Sequence, residues 1–107
     1  MKANFTKDQN LRDGGTTVAA WGPLLWDTDP AAKTVVVSEL TITQNGVEAT
    51  NAGSREYAKG QGTWSLPLTT PPGQRLQGGR AHGHGVVTVI DPPGGTGEPW
   101  ESDIDLH

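Results

Sequence analysis

With 107 residues, 12 acidic against 8 basic side chains and a formal net charge of −4, the chain has the size of one domain around one hydrophobic core. Its acidic balance gives no electrostatic footprint for nucleic acid, and no apolar run approaches the length of a membrane span. The absence of cysteine excludes a disulfide framework, a thiolate nucleophile and a Cys-based zinc site.

Fifteen glycines and eight prolines interrupt helix wherever a helical period might start, while short Val, Leu, Ile and Trp runs favour strands. Met1 to Gly15 mixes Lys, Asp, Asn and Gly around lone apolar residues, which predicts a flexible arm, disordered or lying across the domain edge. The fold proper is expected over 16–107. Thr16 to Trp21 is β-prone, and Gly22-Pro23 marks a turn or kink before Leu24, Leu25 and Trp26. Asp27-Thr28-Asp29-Pro30 supplies turn chemistry.

Thr34 to Gln44 is the clearest strand. Strict alternation places Val36, Leu40 and Ile42 on its core face. Asn45-Gly46 follows, a dipeptide suited to the positive φ angles of a type I′ hairpin turn, so Val47 to Asn51 should pair back. Arg55 to Ala58 reads as an edge strand. Trp64, Leu66 and Leu68 then alternate with polar neighbours, and Trp64 is the expected core anchor. In the Arg80 to Ile90 strand, Ala81, Gly83, Gly85, Val87 and Val89 share one face and His82, His84, Val86, Thr88 and Ile90 the other, and alternation does not say which is buried. The last strand turns Trp100, Ser102, Ile104 and Leu106 inward and Glu101, Asp103 and Asp105 outward. Strands at this spacing predict an all-β fold: an antiparallel sandwich of about seven strands, or alternatively a small barrel.

Three constellations carry chemical meaning. His82 and His84, two residues apart on a strand, point the same way and are candidate ligands for one divalent metal such as zinc. The pair resembles the first half of a cupin motif, which implies a metal-dependent enzyme, but the glutamate that family places nearby is missing from Gly85 to Thr88. Asp27 and Asp29, with Asp91 or the Glu101/Asp103/Asp105 stripe, offer oxygen ligands of the kind calcium prefers, although an Asp-x-Asp before Pro is more often turn chemistry and an alternating acidic stripe more often a solvated face or edge-strand protection. Four tryptophans beside one Tyr and one Phe suggest a carbohydrate platform. Trp21 and Trp26 are the expected exposed pair, with Asp27 and Asp29 as hydrogen-bonding neighbours.

None of Ser38, Ser54, Ser65 or Ser102 lies in a Gly-x-Ser-x-Gly elbow, and neither Gly-x-Gly piece opens a helix. Enzymatic activity is therefore not the favoured expectation. From Val35 to Leu106 the strings VVVSELTITQNG, GTWSLPL, LQGGRAHGHGVVTV and WESDIDL resemble small immunoglobulin-like β-sandwich modules of exported actinobacterial proteins of unknown function. That resemblance implies a sandwich and a display role. The expected function is a non-catalytic binding or interaction module for a protein or carbohydrate ligand, whether cell-surface, secreted or phage-structural. Its runner-up is the metal-dependent cupin-like enzyme using His82 and His84. Localisation and oligomeric state are left open by the sequence.

Overall fold

Alternating apolar and polar residues, punctuated by Gly, Pro and Asn, divide the chain into strands and tight turns. The computed structural model describes residues 1–107 and contains no α-helix. Its strands are β1 (Lys2–Ala3), β2 (Asp8–Arg12), β3 (Thr17–Leu25), β4 (Thr34–Gln44), β5 (Val47–Thr50), β6 (Arg55–Ala58), β7 (Thr63–Thr69), β8 (Gly79–Asp91) and β9 (Gly97–Leu106).

The all-β expectation holds, but the strands do not divide into two layers. They follow the order β3-β2-β9-β8-β4-β5-β7, and β7 returns to pair with β3 from Thr17↔Thr69 to Pro23↔Thr63. Seven strands thus close into a barrel, the alternative arrangement, instead of the expected sandwich. Closure is what a single curled sheet gains by pairing its two edges. All neighbours in the ring are antiparallel except β2 and β9.

The ring has one weak seam. β5 and β7 share a single residue pair, Thr50↔Thr69. Further along, the Tyr57 hydroxyl donates to the Ser65 carbonyl at 2.9 Å and accepts from the Ser65 N–H at 3.0 Å. One side chain there stands in for a stretch of backbone ladder.

The first fifteen residues are not a flexible arm. β1 pairs with the end of β3, β2 lies between β3 and β9, and Met1, Ala3, Phe5 and Gln9 are buried. Nor does Gly22-Pro23 break β3, which runs through both residues. A Cβ at position 22 would meet the Asn4 carbonyl oxygen at 1.9 Å, so glycine there admits the N-terminal segment. The same carbonyl accepts a hydrogen bond from Trp64 Nε1 at 2.8 Å.

β4 corrects the predicted core. Val35 and Val37 are buried on its first half, Leu40 and Ile42 on its second, and Val36 is only half-buried. The change of phase occurs at Glu39, whose φ is 53°. Between Ser38↔Val86 and Thr41↔His84, β4 spends one more residue than β8. Such a bulge reverses which parity faces inward. The following turn has φ of 49° at Asn45 and 79° at Gly46, as the type I′ reading requires.

The interior is filled by Trp64, Phe5 and Trp100, whose ring centroids lie 5.4 Å (Phe5–Trp64), 5.8 Å (Phe5–Trp100) and 5.8 Å (Trp64–Trp100) apart. Trp64, Leu40, Ile42, Ile104 and Leu106 are buried as expected, and Trp100 packs against them while partly exposed. The inward face of β8 is the one carrying Ala81, Gly83, Gly85 and Val87. Its glycines leave room for the rings: a Cβ at Gly83 would meet Phe5 at 2.5 Å, and one at Gly85 would meet Trp100 at 2.4 Å.

Candidate functional site

Because Gly83 and Gly85 face inward, His82 and His84 face outward. His82 Nδ1 lies 3.3 Å from Asp103 Oδ1 and its Nε2 3.4 Å from Glu101 Oε1, both across the β8–β9 ladder. These acceptors hold the imidazolium, Asp103 first and Glu101 second, and raise the His82 pKa above its ordinary value. His84 Nδ1 lies 3.3 Å from the Glu39 carbonyl oxygen instead. The two rings therefore turn to different partners, and no group of three or more His, Asp or Glu side chains has the arrangement to hold a metal ion. The outer wall of β8 and β9 is a ladder of charge pairs, with Arg80 3.4 Å from Asp105 and 3.8 Å from Asp103.

The four residues expected to bind ligand are not brought together. Trp21 lies mid-strand on the outward parity of β3 and is 40% exposed. Trp26 follows the strand's end, packs against the core and donates Nε1–H to the Gln61 carbonyl at 2.7 Å. Asp27 is exposed in the turn beyond, while the Asp29 N–H closes that turn on the Trp26 carbonyl at 3.0 Å. Asp29 lines a separate cleft of about 350 Å³ with Met1, Pro92, Pro93 and Glu98. Trp21 and Trp26, five residues apart, cannot share one face of an extended strand.

Trp21 instead borders a groove of about 390 Å³ on the outer wall of β2, β3 and β7. Asn10 and Arg12 reach it from β2, Ala19 and Trp21 from β3, Ser65 and Pro67 from β7, and Arg55 from β6. Arg55 is steadied by an Nη1–H bond to the Ser65 carbonyl at 3.0 Å. The outward face of β3 reads Ala19, Trp21, Pro23, Leu25, an apolar stripe that ends in Leu25, itself 48% exposed.

Trp21 is fixed from behind by Gln9, a polar side chain with no exposed surface. β2 pairs with β3 only from Asn10 onward and with β9 at Asp8 and Gln9. The Gln9 side chain fills the resulting gap. Its Nε2 donates to the carbonyls of Trp21 at 2.9 Å and Thr6 at 2.5 Å, and its Oε1 accepts the Trp21 N–H at 3.1 Å. An indole held on a backbone clamped in this way is a preorganised platform.

Sequence reading missed Asn10, Arg12, Arg55 and Gln9. Gln9, Asn10 and Arg12 lie in the segment read as an arm, and only the pairing of β2 with β3 and the Arg55–Ser65 hydrogen bond bring the arginines to the groove. The polar alternation of Asp8 to Arg12, with Gln9 and Leu11 on one parity, was the available signal. No protein-family model matches the chain, and no curated protein matches it significantly in sequence.

Proposed function

We propose that the chain is a non-catalytic binding module that holds its ligand in the Trp21 groove on the outer wall of the barrel. One observation carries this reading: the most exposed aromatic side chain of the molecule sits on a clamped strand beside a concave, mixed polar and apolar surface. An indole offers a flat apolar face for a sugar ring or an apolar side chain, and Asn10, Ser65 and the two arginines offer hydrogen bonds at its margin. The groove brings together no serine–histidine pair and no carboxylate, so it supports binding ahead of acid–base or nucleophilic chemistry.

The test is a printed array of neutral saccharides, charged saccharides and peptides, probed with the wild-type chain and with Trp21→Ala, folding being checked by circular dichroism. Retention of one ligand class that Trp21→Ala abolishes supports the groove. An empty array, or retention indifferent to Trp21→Ala, overturns it.

A further inference from the structure

In a chain with four more acidic than basic side chains, the Trp21 groove is lined by two arginines and no carboxylate. Neither Arg12 nor Arg55 belongs to an ion pair, whereas Arg80 and Lys7 both face aspartates. The acidic stripe of Glu101, Asp103 and Asp105 lies on β9, with β2 standing between it and β3. Asp8, the acidic neighbour on β2, is engaged by His107 Nε2 at 2.8 Å. Arg55 spends one donor on Ser65, and a guanidinium has five.

From this charge placement we infer that the groove takes an oligosaccharide bearing carboxylate or sulfate groups. The ligand class rests on the binding reading of the same groove. Guanidinium forks match planar oxyanions and form stronger hydrogen bonds to them than to neutral hydroxyls. The Trp21 face stacks on the C–H face of the ring that carries the anion. β3 is paired along this wall with β2 and β7, and on the far edge of β7 the backbone of Ser65 is taken by Tyr57 while Pro67 has no N–H, so the groove offers an extended peptide little backbone to join as a strand. Recognition must come from side-chain faces, which suits a saccharide. Two cations on a chain of net charge −4 favour a short anionic segment and a strong dependence on salt.

Calorimetric titration with hexagalacturonate (carboxylate only), a κ-carrageenan hexasaccharide (sulfate only) and neutral cellohexaose tests the inference at 50 and 300 mM NaCl. One charged probe should bind at least tenfold more tightly than cellohexaose at low salt and lose most of that advantage at high salt. Which one does so distinguishes carboxylate from sulfate. Arg12→Gln with Arg55→Gln should bring the charged probe down to the affinity of cellohexaose for the same variant, and Arg12→Gln alone should narrow the difference if the double variant folds poorly. Cellohexaose binding as tightly as the charged probes overturns the anionic class and leaves the binding reading standing. So does array retention of peptides alone. Failure of every saccharide and peptide overturns both.

Discussion

Replacing Gly83 by alanine tests the central claim about β8, that its glycine face and not its histidine face is inside. The added methyl would lie 2.5, 2.7 and 3.1 Å from three ring carbons of Phe5, the nearest about 1 Å inside ordinary carbon contact. Phe5 has no free direction, since Trp64 and Trp100 flank it at 5.4 and 5.8 Å between centroids. Overpacking of this kind costs about 1–3 kcal/mol. Against it stands the gain of about 0.4–1 kcal/mol that Gly→Ala normally brings by restricting the unfolded chain. At the centres of the two ranges the balance is a loss of about 1.3 kcal/mol. Thermal unfolding should therefore fall by about 4 °C or more, at 4–8 °C per kcal/mol for a domain of roughly this size. Phe5→Leu removes the atoms that clash, so the double variant should be more stable than the sum of the single effects predicts by about 1 kcal/mol. If Gly83→Ala raises the melting temperature, or the two effects add, the face assignment fails.

Two further predictions concern Gln9 and His82. Gln9→Leu keeps the side chain's bulk but strands the buried Trp21 N–H that Oε1 now satisfies, a loss of about 1–3 kcal/mol; urea denaturation measures it, and an unchanged midpoint would refute the clamp. The raised pKa of His82 means that its pairing with Asp103 and Glu101 contributes fully below the ordinary value of 6.5 and is lost as pH rises through the folded-state midpoint. Proton NMR of the imidazole should show that midpoint falling toward 6.5 in Asp103→Asn, and no movement would remove Asp103 as its cause.

What was legible in the sequence was local. Thr34 to Gln44, the Asn45-Gly46 turn, Arg55 to Ala58 and the inward parity of Trp64, Ile104 and Leu106 follow from alternation and turn chemistry, which act between near neighbours. Val36 went to the wrong face because a period of two carries no sign of the extra residue at Glu39. The arm became strands because β2 is stabilised by partners far along the chain, β3 and β9, and by a glutamine acting as backbone. Closure was legible only as the alternative fold for the same reason, since the β7–β3 pairing joins residues 40 to 52 positions apart. Trp21 was found as an exposed aromatic, but its arginine neighbours belong to other strands. The buried face of β8 stayed open because glycines carry no hydrophobic signal, whereas here their missing side chains are the space into which Phe5 and Trp100 fit.

The seam between β5 and β7 bears on what a neighbouring strand could pair with. A sheet closed by one residue pair retains, in effect, two margins at which a stray strand could dock. On the β7 side Ser65 has both its N–H and its carbonyl occupied by Tyr57, and Pro67, two residues on, has no N–H to give. The opening is narrow in hydrogen bonds yet poor in vacancies. A strand arriving on the β7 side would find no free hydrogen-bonding group at Ser65 and no N–H at Pro67, at the place where the barrel's own ladder is thinnest.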